Sequence, residues 1–220
     1  MTDKKISGKI TLYDKYRRDL ASNAAFGIAA SFILFILVAV IIVVNFLFIK
    51  VKVSGSSMFP TLKSGDVVMV NAYGAPDYGD IIIISGEKSN GDWLIKRAIA
   101  FGGDTVKIEG GYVFLQKSGE NEFTKLDEPY LNKSGMTFYP NVGSSGDTGE
   151  KIWEIEENCV FYLGDNRKNS HDSRAEDFGT CDRDQIVGVV GGFALKIKGV
   201  NNFFDRVSQA INGFFGRNGG

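Results

Sequence analysis

Hydrophobic positions along the chain follow two different patterns. From Ala24 to Ile49 they are nearly continuous, 26 residues without a charge, more than the ~20 that a helix needs to cross a hydrocarbon core. A cleaved secretory leader has a shorter apolar core, ~7–15 residues, followed by a small-residue cut site; this run is too long and continues into "IKVKV". After it come short runs that alternate or are rich in β-branched residues: "FIKVKV", "VVMVNAY", "DIIIIS", "WLIKRAIAF", "DTVKIEGGYVFLQ", "CVFYLGD" and "QIVGVVGGFALKIKG". Gly, Asn and Asp separate them, which predicts strands, and "IEGGYV" predicts a hairpin turning at Gly110-Gly111. The pattern loosens between about Phe123 and Asn158, and in "NNFFDRVSQAINGFF" Phe203, Val207, Ile211 and Phe214 return at helical spacing, for docking on the domain or lying on a membrane surface.

The predicted fold is mainly β: one N-terminal transmembrane helix, then an antiparallel, barrel-like β-sheet domain with a small inserted subdomain. The divisions are 1–23, an N-terminal segment; 24–49, the transmembrane helix; 50–200, a β-rich domain with its insert at about 123–158; and 201–220, an amphipathic segment. Charge sets the orientation. Residues 1–23 carry Lys4, Lys5, Lys9, Lys15, Arg17 and Arg18, whereas the next twenty after the span carry Lys50, Lys52 and Lys63. This bias predicts a cytoplasmic N-terminus in a plasma membrane, crossed once, with the β domain on the outer face. A net charge of −1 without a basic block offers nothing to nucleic acid. One His and two Cys without ligand spacing predict no metal site, and no cofactor motif is present.

Three stretches carry candidate chemistry. "GSSMFPTLKSGD" sets Ser56 and Ser57 in a turn soon after the span. "WLIKRAIAF" places Lys96 within an apolar strand, where period-two alternation gives it the face of Leu94, Ala98 and Ala100; burial there would lower its pKa toward that of a general base. "LGDNRKNSHDSR" packs many hydrogen-bonding side chains into one loop.

Together these resemble the bacterial type I signal peptidases, membrane-anchored Ser/Lys proteases. Ser57-Met58-Phe59-Pro60-Thr61 is similar to the nucleophile motif and Tyr78-Gly79-Asp80 to the Gly-Asp motif. Lys96-Arg97 is similar to the lysine motif, and Gly164-Asp165-Asn166-Arg167 through Asp172-Ser173-Arg174 to the last motif. The resemblance implies Ser57 as nucleophile, Lys96 as its base and Ser170 as the residue that orients the lysine. It gives structural ion-pair roles to Asp165, Asp172 and Arg174, with Arg97 as partner of Asp165. Gly55 stands where some members carry a serine that donates to the oxyanion, so the second donor stays open, Ser56 included. The implied activity is endoproteolytic removal of signal peptides from exported preproteins after small residues of the Ala-X-Ala type. Preprotein signal peptides, the lipid bilayer and the secretion machinery are the implied partners.

Other readings compete. His171 and Asp172 could serve a Ser/His/Asp hydrolase, but sequence neighbours rarely face each other usefully and no G-x-S-x-G elbow surrounds Ser57. Ser85-Gly86-Glu87-Lys88 fits S-x-x-K without its companion motifs. A soluble self-cleaving Ser/Lys protease would lack the span, and a tethered, non-enzymatic β module would use neither Ser57 nor Lys96. Cys159 and Cys181 either pair or remain free thiols.

Overall fold

The computed structural model describes residues 3–86, 91–131, 136–139, 149–196, 199, 201–203, 205–207 and 209. Helix α1 runs Asp3–Leu47, so it takes in the basic leader as well as the apolar run. None of the residues Asn23–Val40 is buried, and the helix is long and apolar enough to cross a membrane. It stops short of the end of the apolar run because Phe48 and Ile49 are claimed by a strand. In β1 (Phe48–Lys52) they pair with Asn71 and Val70 of β2 (Val67–Asn71). Helix α1 is a compact unit by itself, and residues from Phe48 onward form the second.

The remaining elements are β3 (Ile81–Ile84), β4 (Leu94–Phe101), β5 (Thr105–Glu109), β6 (Tyr112–Gln116), β7 (Thr124–Lys125), β8 (Lys151–Glu154), β9 (Cys159–Leu163), β10 (Cys181–Asp182), β11 (Ile186–Val190) and helix α2 (Gly192–Lys196). A seven-stranded sheet has the order β1-β2-β11-β3-β4-β9-β10, and a four-stranded sheet the order β7-β6-β5-β8. All pairings are antiparallel. Counting along the larger sheet, β1 and β4 therefore point the same way.

Alternation explains most of the core, and one irregularity changes it. Leu94 and Ala98 pack with Ile82, the cross-strand partner of Lys96. The register between β4 and β9 slips between Ala98 and Ala100, and an extra residue reverses which face follows. Ala100 accordingly packs on the other side with Ile99, Phe161 and Leu163, not on the face of Lys96 as alternation alone predicts. That side meets Val106, Ile108, Val113 and Leu115 of the smaller sheet, so the two sheets are joined through one apolar layer. The smaller sheet begins at Thr105, well before the 123–158 stretch where the pattern loosens. Its β5–β6 hairpin turns at Gly110 and Gly111, with φ of 57° and 86°; two consecutive positive φ values are what a two-residue hairpin turn of matching twist needs.

"QIVGVVGGFALKIKG" is a strand only up to Val190. From Gly192 it is helical and buries Ala194 against Val68, Val70 and Ile81, because a short apolar run has no period that separates strand from buried helix. Farther on, Asn202 accepts the Val67 backbone N–H at 2.7 Å and donates to Asp66 at 3.0 Å. At this residue the C-terminal segment docks on the domain. Ile211 and Phe214, and Glu87 and Lys88 of the S-x-x-K match, lie outside the described residues.

Cys159 and Cys181 are both buried, and neither is in a disulfide. They pack into different clusters, Cys159 with Phe161 and Leu163, Cys181 with Val160 and Tyr162. Successive strand residues face opposite ways, so the thiols are on opposite sides of the sheet. A thiol-reactive disulfide reagent should modify neither cysteine quickly in the folded chain and both in denaturant. A Cys159–Cys181 cross-linked peptide in the unreduced digest would contradict this.

Candidate active site

The turn of Ser57 and the strand of Lys96 meet at one cavity of about 630 Å³, lined by Ser57, Gly55 and Met58 from the turn and by Leu94, Ile95 and Lys96 from β4. Met58 and Leu62 are fully buried in the core below the turn, which anchors the segment while Ser57 stays half-buried at the cavity.

Lys96 is only 3% exposed. Its Nζ donates to Ser170 Oγ at 3.2 Å. Burial is the main cause that brings its pKa down from 10.5 to about 8; the Asp172 charge opposes this and the Arg174 charge adds to it. Asp172 is itself fully buried, and desolvation alone would raise its pKa. Arg174, the Gly164 backbone N–H and the Ser170 side chain more than offset that and hold it below its usual value. An ionised carboxylate only accepts, so the Ser170 hydroxyl hydrogen points at Asp172. The lone pairs of Ser170 Oγ then face a Lys96 N–H, and the nitrogen lone pair of a neutral Lys96 is left for another donor.

Buried ion pairs hold these parts together. Asp165 takes Arg97 in a bidentate pair at 2.8 and 2.6 Å and accepts the Thr61 hydroxyl at 2.5 Å. One carboxylate thus ties the strand of Lys96, the turn of Ser57 and the last motif. Asp172 takes Arg174 at 2.8 and 2.9 Å. Arg97 also donates to Gly79 O at 2.6 Å, the Gly of the Gly-Asp motif.

The loop after β9 lies directly on the turn of Ser56 and Ser57. Asn166 N–H donates to Ser57 O at 2.9 Å, and the Asn166 and Asn169 amides donate to Ser56 O and Ser56 Oγ at 3.1 and 3.0 Å. Gly164 makes the approach possible. A Cβ there would overlap Ser170 Oγ and come within 2.6 Å of Ser57 O.

A family model described as "Signal peptidase, peptidase S26" matches residues 27–193. The chain belongs to the signal peptidase family. Among curated relatives, signal peptidase I S of Bacillus subtilis (strain 168) is 33% identical over 165 residues, covering 72% of this chain and 83% of the relative. Signal peptidase IB of Staphylococcus aureus (strain Mu50) is 34% identical over 174 residues, 74% of this chain and 83% of the relative. A crystal structure of a signal peptidase I from Enterococcus faecalis V583 is 26% identical, covers 54% of this chain and 98% of that one, and gives a TM-score of 0.41. As a type I signal peptidase the chain is a hydrolase that acts on the signal peptides of preproteins.

Within this signal peptidase, Ser57, Lys96 and Gly55 share the cavity, while Ser170, Arg97, Asp165, Asp172 and Arg174 form the buried lattice behind it. His171 is elsewhere: its exposed ring pairs with Asp177 at 3.0 Å and packs edge-on to Phe178. Several supporting residues escaped sequence reasoning. Arg167, fully buried, donates to Glu128, Thr137 and Gly164 O. The Tyr130 ring stacks 3.7 Å from the Arg97 guanidinium, and Phe138 O accepts from Arg174 at 3.1 Å. Arg167 was visible as part of the last motif; Glu128, Tyr130 and Thr137 come from a stretch with neither motif nor period.

Two substitutions test this lattice. Asp165→Ala strands the Arg97 charge and should cost about 3–5 kcal/mol of stability, the usual penalty for halving a buried pair, measured by denaturant unfolding. Gly164→Ala should lower peptide cleavage by more than roughly tenfold at a stability cost of about 1–3 kcal/mol, because Ser57 O is backbone and cannot step aside.

Proposed function

We propose that the chain is a membrane-anchored serine endopeptidase in which Ser57 and Lys96 form a catalytic dyad that cuts signal peptides after small residues of the Ala-X-Ala type. The observation that carries this reading is the desolvated Lys96, bonded to Ser170 and opening with Ser57 onto one cavity. Helix α1 is the anchor: its apolar stretch has no protein cover, and lipid satisfies such a surface. By the bias in Lys and Arg the N-terminus is cytoplasmic, and the β domain lies across the membrane from it.

In the reaction, neutral Lys96 accepts the Ser57 hydroxyl proton as Oγ bonds to the scissile carbonyl carbon. The carbonyl oxygen becomes an oxyanion facing the Ser57 backbone N–H, a type of donor worth ~3–4 kcal/mol in acyl transfer. Collapse breaks the C–N bond, and the Lys96 ammonium returns its proton to the departing amine. Water, deprotonated by the same lysine, then releases the acyl group from Ser57. The Ser56 hydroxyl is engaged by Asn169, so it serves the turn.

The substrate lies in the cavity as an added strand. Strand β1 is the sheet's edge, and β4 pairs with β9 only from Arg97 onward, leaving Leu94–Lys96 without a strand neighbour on that side among the described residues. Both offer backbone groups to an extended peptide. Nucleophile and membrane exit are close in sequence: ten residues from Leu47 to Ser57 reach at most ~36 Å, enough for a cut just outside a membrane-embedded signal peptide.

Replacement tests assign the serine. Ser57→Ala should abolish processing of a preprotein in detergent, whereas Ser56→Ala, losing one exposed hydrogen bond, should keep most of it; equal losses would show the wrong serine had been chosen. The base is tested by pH. With Lys96 near 8, about one molecule in ten is neutral at pH 7, so kcat/KM should climb with pH through about 8. Because the folded pKa is lowered, folding is penalised fully below about 8, and the penalty fades as pH rises toward 10.5. Lys96→Met should therefore eliminate cleavage yet gain on the order of 3 kcal/mol of stability below pH 8, and this gain should vanish above pH 10. Retention of the wild-type pH limb by Lys96→Met would exclude lysine as base.

A further inference from the structure

Trp93 is the large apolar side chain at the cavity that neither the core nor the catalytic geometry uses. It is 47% exposed, lies three residues before Lys96, and lines the same cavity as Ser57 and Lys96. The chain stretches that line this cavity have a common direction. Residues 51–55 continue β1 toward Ser57, and residues 91–95 lead along β4 into Lys96; β1 and β4 are parallel by the count of antiparallel pairings. Both stretches therefore run toward the reacting centre and end there.

An extended peptide between them runs either with both or against both. The proposed specificity selects the first. Cleavage is decided by the small residues before the cut, so the cavity that leads to Ser57 along these two stretches holds the upstream part of the peptide. Its residues before the cut then lie along 51–55 and 91–95, with the scissile carbonyl at Ser57. At ~3.3 Å per residue, Trp93 is ~10 Å upstream of Lys96. A peptide residue at that level is the fourth or fifth before the cut. The nearer residues face Leu94, Ile95 and Lys96, which are half-buried or buried; at Trp93 the wall becomes an exposed indole, an apolar surface open to a large side chain.

We propose that Trp93 is a specificity-determining residue that favours a bulky apolar side chain at the fourth or fifth position before the scissile bond, where the apolar core of a signal peptide meets its cleavage segment. The inference rests on the Ser57/Lys96 reading above. It adds a requirement that small residues nearer the cut do not carry, and it gives the enzyme a contact with the part of the substrate emerging from lipid. The preference acts on binding, because the indole is remote from the reacting atoms.

The experiment uses the full chain in detergent with one parent peptide that carries Leu, Ala or Asp in turn at the fourth and fifth positions before the cut. For the wild type, kcat/KM should be at least about fivefold higher for Leu than for Ala at one of these positions, and lower again for Asp, with the difference in KM. Trp93→Ala should bring the Leu-to-Ala ratio close to one, and Trp93→Phe should restore most of it. The ratio compares two peptides on the same enzyme, so a partly unfolded variant does not alter it. An unchanged ratio in Trp93→Ala, or no preference at either position in the wild type, overturns the proposal. Failure of the underlying reading looks different: Ser57→Ala would cut the peptides as well as the wild type, and both inferences would fall together.

Discussion

A guanidinium or carboxylate removed from water costs several kcal/mol unless its charge and hydrogen bonds are met inside the protein, and this chain buries three arginines and two motif aspartates around a single loop. Arg97, Arg167 and Arg174 are each at most 7% exposed, as are Asp165 and Asp172. The energetic penalty for leaving any of them unpaired makes the arrangement nearly all-or-none. Asp165 meets Arg97 and Thr61 together, so the turn of Ser57 and the strand of Lys96 hold a fixed separation set by one carboxylate. Residues 128–131 and 136–138 complete the enclosure, supplying Glu128 and Thr137 to Arg167, the Tyr130 ring to Arg97 and the Phe138 carbonyl to Arg174.

Lys96 is the exception to that balance, and the proposed role as a base depends on its being so. It is buried beside Asp172, whose charge is already committed to Arg174. What remains for the lysine is the neutral hydroxyl of Ser170. A direct carboxylate partner would raise its pKa and remove the free amine; the intervening serine orients the nitrogen without neutralising its charge. Desolvation therefore prevails, at a cost in stability that the surrounding ion pairs support.

The long apolar helix, the alternating strands and the Gly110-Gly111 turn were legible in the sequence because each reflects a local rule: a continuous apolar run, a period of two, a glycine pair at positive φ. Ser57, Lys96 and the last motif were legible through family resemblance, since spacing alone does not bring residues 57, 96 and 170 together. Three features were not legible. The slip that turns Ala100 to the opposite face arises between β4 and β9 and has no signature in β4 itself. Helix α2 reads as a strand because five residues are too few to show a period. Glu128, Tyr130 and Thr137 act through residues distant in the chain, and nothing near them in sequence indicates that they face buried arginines.

The sheet order has a consequence in time. Strand β11 lies between β2 and β3, seated so closely that a Cβ on Gly188 would come within 2.5 Å of Asn71 O. Among the described strands, β11 is the one that hydrogen-bonds the β1–β2 half of the sheet to the β3–β4 half. A chain grown from its N-terminus possesses both residues long before it possesses residues 186–190, and the long-range pairings close last. The frame beneath Ser57 and Lys96 is therefore completed late, when the strand encoded near the end of the chain is set between the two halves of the sheet.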